Sequence, residues 1–180
     1  MTASGQPGWW QRHRKSLLLN LAVFLVVAFG IQAWQTRHMA SGQAPDVTLQ
    51  RALTPQQQDS LASWRQQHAG EPVVLYFWAT WCTICRIEQP MINGLIQSQP
   101  VLPIAIQSGP AASVLAYERQ HGLAWNSVVD PDGGIARHFG ISATPSFVVL
   151  DAQGNISSST VGLTSPWGLR LRLWRARLAG

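Results

Sequence analysis

Residues 78–86 read Trp-Ala-Thr-Trp-Cys-Thr-Ile-Cys-Arg, and they contain both cysteines of this 180-residue chain. Trp78 is the last residue of an unbroken apolar run that begins at Val73. Such a run is typical of a strand buried on both faces in a helix-flanked sheet. Apolar residues at helical spacing follow the second cysteine, and Pro90 should kink the helix that they predict. The sequence therefore predicts that the sulfur atoms of Cys82 and Cys85 lie where a strand ends and a helix begins.

This placement favours redox chemistry at the cysteine pair. The thiolate is the nucleophile in thiol–disulfide exchange, and the free N–H groups and partial positive charge of a helix N-terminus favour the thiolate form. We expect Cys82 to be the exposed cysteine, which attacks a substrate disulfide or is attacked by a substrate thiol. Cys85, one turn further on, should be more buried and should resolve the mixed disulfide. The short spacing makes the ring easy to close and open, so the bond can cycle.

Other roles for the two cysteines have less support. A structural disulfide across so short a loop would stabilise the fold little. A zinc site would need two more ligands, and the five histidines include no pair at the spacing of a zinc motif. Two soft thiolates can bind Cu(I), so a copper-binding thiol protein of copper tolerance is the alternative from another functional class. In the redox role we expect neither a metal nor another cofactor.

The charge distribution does not indicate nucleic-acid binding. The formal net charge is +5, but basic residues concentrate near the two ends of the chain. Residues 40–165 contain five arginines against eight acidic residues. The middle of the chain therefore lacks the basic stripe that a nucleic-acid-binding domain needs, and no nucleic-acid partner is expected.

Residues 16–34 read SLLLNLAVFLVVAFGIQAW and contain no charged residue. About 20 residues at helical rise span the core of a bilayer, so we interpret this segment as a single-pass transmembrane anchor. The basic cluster of residues 12–15 precedes the segment and only Arg37 follows closely, which keeps the N-terminus in the cytoplasm. A cleaved signal peptide and a buried core helix are the alternatives, although residues 31–34 make a poor cleavage site.

These features divide the chain into four parts. Residues 1–15 are the predicted cytoplasmic N-terminus, residues 16–34 the anchor, residues 35–53 a polar tether and residues 54–180 the folded domain. Within the tether, Val47 to Leu49 is a candidate edge strand. With either an anchor or a signal peptide, the folded domain lies outside the cytoplasm, where disulfides can persist.

The folded domain is predicted to alternate strands and helices. Thr54 and Pro55 are the predicted N-cap and first residue of its first helix. The predicted apolar face of the helix after the cysteines is formed by Ile87, Met91, Leu95 and Ile96. Further elements are predicted over residues 101–106, 111–121, 125–129, 135–139, 146–150 and 156–161. The order predicts an α/β fold in which helices flank a mixed central sheet.

The last predicted helix begins at Ser165-Pro166 and carries four arginines. We interpret the arginines as the solvated face of a packed helix, and contact with anionic lipid is the alternative. One apolar face of this helix is formed by Trp167, Leu171, Trp174 and Leu178.

With these elements in place, the chain resembles the thioredoxin-like family over roughly residues 54–178. Trp81 directly precedes the first cysteine as in the family's active-site segment, Pro90 matches the kink proline, and Thr144-Pro145 matches the cis-proline loop. The resemblance implies a thioredoxin-like fold with a cis Pro145 against the cysteine pair. There Pro145 and the backbone of Thr144 would let a substrate chain dock edge-on as an extra strand.

Within the family, the chain is similar to the exported, membrane-anchored branch of TlpA-, ResA- and CcmG-like proteins. Cys85 and Glu88 match part of the Cys-x-x-Cys-x-x-Glu pattern of that branch, in which the glutamate is implied to tune the cysteines. A solvated helix position is the alternative interpretation of Glu88. The nearest resemblance is to the suppressor-of-copper-sensitivity D type, a protein disulfide oxidoreductase.

The sequence departs from these relatives close to the cysteines. Tyr76 stands where thioredoxin has a buried aspartate, so that proton acceptor is absent. Ser146 follows the cis-proline, where CcmG-like proteins have glutamate, which puts a cytochrome specificity in doubt. Thr83 and Ile84 supply no charge to stabilise a thiolate, which favours a reducing role. The residues expected to tune the couple are Tyr76, Trp81, Thr83, Ile84 and Glu88.

The sequence thus predicts an inner-membrane, single-pass protein disulfide oxidoreductase whose catalytic domain faces the periplasm of a Gram-negative bacterium. It would reduce or exchange disulfides of exported proteins through Cys82 and Cys85. The resemblance implies that a DsbD-type membrane electron donor re-reduces it. A cytochrome c maturation thiol reductase is the alternative enzyme, and the direction of electron flow is left open by the sequence.

Overall fold

The computed structural model describes residues 9–179, with side chains for residue 14 and for residues from 16 onward. It divides into two compact units, Met1–Arg37 and His38–Gly180. Residues 1–8 of the predicted cytoplasmic segment lie outside the described residues.

The first unit contains one long helix, α1 (Trp9–Thr36). Its stretch Ser16–Thr36 is long and apolar enough to cross a membrane, and none of it is buried inside the protein. The predicted anchor, residues 16–34, therefore lies within a helix with the length and composition of a membrane span.

The second unit is an α/β domain. Its elements in chain order are β1 (Gly42–Gln43), β2 (Thr48–Gln50), β3 (Gln58–Ser60), α2 (Leu61–Gln66), β4 (Val73–Trp78), α3 (Thr83–Ile96), β5 (Val101–Ile106), α4 (Ala111–Gln120), β6 (Val128–Asp130), α5 (Gly134–His138), β7 (Ser146–Leu150), β8 (Asn155–Val161) and α6 (Pro166–Ala179).

The domain is built on a central sheet with the strand order β1-β8-β7-β4-β5-β6. The sheet is mixed, as the sequence predicted. Strands β4, β5 and β6 run parallel, whereas β7 pairs antiparallel with both β4 and β8. All six residues of β4 are buried, which explains its unbroken apolar run. Alternate side chains of β4 enter two separate core clusters, because successive residues of a strand point to opposite faces.

The N-terminal part of this domain differs from the prediction. β1 pairs with β8, β2 pairs with β3, and the side chain of Leu49 is fully buried, so residues 38–53 belong to the folded unit instead of a tether. The predicted helix start at Thr54 is wrong, because residues 58–60 pair with β2 and hold the chain extended. The helix begins at Leu61 instead, and Ser60 caps it by accepting a hydrogen bond from the Ser63 N–H.

Two predicted helix faces also differ from the structure. On α3, Leu95 is buried and Met91 and Ile96 pack against the core, as predicted, but Ile87 is exposed. The other inward positions are Cys85, Glu88, Gln89 and Ile92. On α6, the buried residues are Leu169, Leu173 and Ala176, whereas the stripe formed by Trp167, Leu171, Trp174 and Leu178 is exposed. Helix α6 carries two apolar stripes on opposite sides, so its periodicity alone cannot identify the one that packs.

Candidate functional site

The cysteine pair lies where the sequence placed it, at the junction of β4 and α3. Cys82 is the N-cap of α3, and its sulfur accepts a hydrogen bond of 3.1 Å from the Cys85 N–H. The two sulfurs form a disulfide. Cys82 is 5% exposed and Cys85 1%, which keeps the predicted order. Cys82 is nevertheless buried in this oxidised state, so the expectation of an exposed Cys82 is wrong here.

Bulky apolar side chains close to the two cysteines in the chain are exposed at the surface. Trp81 is 60% exposed, and Ile84 and Ile87 are exposed as well. We call these three residues the apolar rim. Contiguous exposed apolar side chains are typical of a surface that contacts another protein. The rim is therefore a candidate docking surface, and Ile87 belongs to it only because α3 turns this residue outward.

Two residues at the end of β5 position the segment before the cysteines. The indole N–H of Trp81 donates to the Gln107 carbonyl at 3.1 Å, and the Thr80 N–H donates to the Ser108 hydroxyl at 3.0 Å. Sequence reasoning missed Gln107 and Ser108. The usable signal was that parallel neighbouring strands end at the same edge, where α/β proteins build their sites.

The Thr144–Pro145 peptide bond is cis, in agreement with the resemblance. Pro145 is buried, and its carbonyl accepts a 2.8 Å hydrogen bond from the Gly162 N–H. Sheet pairing of β7 begins only at Ser146, so Thr144 lies outside it. A cavity of about 300 Å³ is lined by both Trp81 and Thr144, which brings the cysteine segment and the cis-proline loop to one place.

Glu88 points into the protein. Its side chain is 2% exposed, and its Oε1 accepts a 2.7 Å hydrogen bond from the Thr164 N–H. Its Oε2 has no hydrogen-bond partner among the described residues. Burial raises the pKa of Glu88 to about 7, against the opposing effect of the Thr164 hydrogen bond. The alternative of a solvated helix position is therefore wrong, and the inward position fits a tuning role one turn after Cys85.

Tyr76 occupies the same core cluster as the two cysteines. Its ring stacks on Phe147 with centroids 4.9 Å apart, and its hydroxyl has no partner among the described side chains and backbone. Burial raises the pKa of Tyr76, and the charge of Glu88 raises it further. The phenol therefore stays neutral. Thr83, the remaining predicted tuning residue besides the rim, is exposed.

Within the described part of the chain, no three side chains of histidine, cysteine, aspartate or glutamate come together in a group that could hold a metal ion.

Comparisons with known proteins agree with this geometry. The model of the AhpC/TSA family matches residues 40–159. A thioredoxin-like protein of Haemophilus influenzae is 35% identical over 92% of this chain and 98% of the relative. The thiol:disulfide interchange protein DsbE of Pseudomonas aeruginosa is 26% identical over 92% of each chain. The crystal structure of a thioredoxin-family thiol:disulfide interchange protein from Chlorobium tepidum superimposes with a TM-score of 0.61 at 23% identity, covering 77% of this chain and 97% of that one.

Proposed function

Because the chain belongs to the AhpC/TSA family, we propose that it is a membrane-anchored reductase that acts on disulfides of exported proteins. The chain is a thioredoxin-like thiol–disulfide oxidoreductase. We also propose that the chain is of the suppressor-of-copper-sensitivity D type.

The observation that carries the proposal is a disulfide at the N-terminus of α3, in a segment whose apolar rim is exposed. In the reduced enzyme, the Cys82 thiolate attacks a substrate disulfide, forms a mixed disulfide and releases one substrate thiolate. The Cys85 thiolate then attacks the Cys82 sulfur, closes the Cys82–Cys85 disulfide and releases the second substrate thiolate. Two electrons pass from the enzyme to the substrate, and a dithiol donor of the DsbD type restores the reduced state.

Glu88 supports the second step of this sequence. It lies one turn along α3 from Cys85, and a pKa of about 7 lets it hold or release a proton under ordinary conditions. When the Cys85 thiol becomes the attacking thiolate, its proton needs an acceptor in a core cluster closed to water. Glu88 is the buried carboxylate placed to take that role, with Thr164 fixing its orientation.

The N-terminal helix supports the proposed location. A span at Ser16–Thr36 with the basic cluster before it would hold the catalytic unit on the periplasmic side of the inner membrane. A disulfide-cycling site suits that compartment.

The loop at the cis-proline favours general reduction over cytochrome c maturation. Ser146 is fully buried, and its hydroxyl donates to the Ala143 carbonyl at 2.7 Å. The side chain after Pro145 therefore forms a hydrogen bond within the loop and presents no acidic group to a partner.

Trapping of mixed disulfides tests the proposal. In cells, the Cys85→Ser chain should accumulate with exported proteins bound through Cys82, and a reducing agent should release them. The Cys82→Ser chain should trap nothing and should have no turnover, and the double variant controls for non-covalent capture. The potential of the Cys82–Cys85 couple gives the direction, with a value near or below about −230 mV for a reductant and near about −120 mV for an oxidant. An empty trap refutes the exchange mechanism, and an oxidising potential refutes the reducing direction.

A further inference from the structure

Helix α6 has a second apolar face that the domain leaves uncovered. Leu169, Leu173 and Ala176 are buried and hold the helix against the core cluster of the cysteines. The outer stripe, which we define as Trp167, Leu171, Trp174 and Leu178, recurs at helical spacing on the opposite side. Each of these four side chains is more than half exposed. Two tryptophans and two leucines in one exposed row exceed the scattered apolar residues of an ordinary surface.

The outer stripe is bordered by positive charge. Helix α6 contains four arginines and no acidic residue, and Arg170, Arg175 and Arg177 are exposed. At 3.6 residues per turn, Arg170 and Arg177 lie along one side of the stripe, and Arg172 and Arg175 lie along the other. The guanidinium of Arg170 lies over the Trp167 ring at 5.7 Å from its centroid. Positive charge on both margins of an aromatic and leucine row is the pattern of a helix that lies in a membrane interface.

We propose that the outer stripe of α6 docks on a bilayer surface that contains anionic phospholipid. Trp167, Leu171, Trp174 and Leu178 would enter the headgroup region, and the arginines would contact lipid phosphates with their aliphatic stems along the apolar boundary. A second copy of this chain fits less well, since a symmetric contact would bring like-charged margins together. The chain itself favours a lipid occupant, because only residues 37 and 38 separate the end of α1 from buried Met39.

This inference goes beyond the proposed function, because it does not use the thiol chemistry. The arginines set the size of the expected effect on membrane docking. Each arginine near an anionic surface changes the docked-to-undocked ratio about fivefold, so two arginines account for about 25-fold.

The test places a polarity-sensitive fluorophore on the outer stripe of the full chain. The Leu171→Cys substitution is made in a Cys82→Ser/Cys85→Ser background, labelled with NBD and reconstituted into vesicles. One vesicle set is pure phosphatidylcholine and the other contains 30% phosphatidylglycerol. A second label position, Gln120→Cys at the exposed end of α4, reports on non-specific effects. Flotation of the vesicles and far-UV circular dichroism verify insertion and folding separately.

The expected result is a blue shift at residue 171 in the anionic vesicles, quenching by lipid-borne spin label, and little change at residue 120. The Arg170→Gln/Arg175→Gln variant should shift the docked-to-undocked ratio about 25-fold toward the undocked state. The matched Arg86→Gln/Arg119→Gln variant removes the same charge from exposed positions elsewhere and should behave like the parent. A chain that floats with the vesicles but shows no shift at residue 171 overturns the proposal. A shift that depends on protein density and not on lipid charge also overturns it and assigns the stripe to contacts between proteins. A chain that does not float overturns both the docking and the anchor.

Discussion

Replacing Glu88 by glutamine should abolish a large part of the decrease in stability that the folded unit undergoes as the pH rises. The carboxyl of Glu88 is 2% exposed, and its Oε2 has no partner among the described residues. Burial raises its pKa to about 7 from the ordinary 4.5. Glutamine has the same shape, keeps an acceptor for the Thr164 N–H and resembles the protonated acid.

The sign and size of the effect follow from the two pKa values. Between pH 4.5 and pH 7 the unfolded chain has released the Glu88 proton while the folded chain still holds it. The unfolded state then binds fewer protons, so the free energy of unfolding falls as the pH rises through this window. The full penalty is present above about pH 7. From pH 5 to pH 8 the loss from Glu88 is about 2.5 kcal/mol.

Urea unfolding of residues 38–180 in the oxidised state measures this difference. At pH 5 the parent and the Glu88→Gln variant should differ little, and at pH 8 the variant should be more stable by about 2–3 kcal/mol. Glu71→Gln, which removes an exposed carboxylate, controls for the loss of one charge. If parent and Glu88→Gln lose stability in parallel across the range, Glu88 is not held as a neutral acid and its assigned role is wrong.

Three further substitutions test the packing and the site. Gly140→Ala should lower the free energy of unfolding by at least about 2 kcal/mol, because φ is +65° and the added carbon would overlap the backbone of His38. The control Gly42→Ala, at φ +77° in open space, should cost about 1 kcal/mol. Equal losses in chemical unfolding would contradict this expectation. Trp78→Phe should cost about 1–2 kcal/mol in the same assay, because it deletes the indole N–H and leaves the buried Ser127 hydroxyl without that donor; an unchanged midpoint would show that the bond contributes nothing. Trp81→Phe should change stability by less than about 1 kcal/mol but lower kcat/KM on a protein disulfide about fivefold, and loss of both together would mean a structural role.

Several parts of the domain follow from local sequence alone. Hydrophobic periodicity predicts strand β4 and the helix after the cysteines, and turn residues predict the hairpin of β7 and β8. The disulfide and the cis Thr144–Pro145 bond lie where their motifs placed them. These features depend on residues that are neighbours in the chain or on a short motif that allows few conformations.

The errors have a common cause, which is that the choice between two good local solutions depends on distant partners. The capping pattern at Thr54 is sound, but pairing of β3 with β2 keeps the chain extended to Ser60. Helix α6 has two apolar stripes, and the periodicity of a helix does not tell which one meets the sheet. Glu88 could have faced water or the core, and only the docking of α3 decides.

The sequence by itself determined the chemistry of this protein, because two cysteines at a strand–helix junction need only local structure to meet. It also determined a helix long and apolar enough to span a membrane, since length and composition suffice for that. Only the tertiary structure decided the surroundings of the couple. It buried Glu88 and Tyr76 in the core, turned Ile87 outward into the apolar rim, and left one face of α6 uncovered. The physical reason is that burial, which sets the pKa of Glu88 and the exposure of each apolar side chain, depends on contacts between segments far apart in the chain.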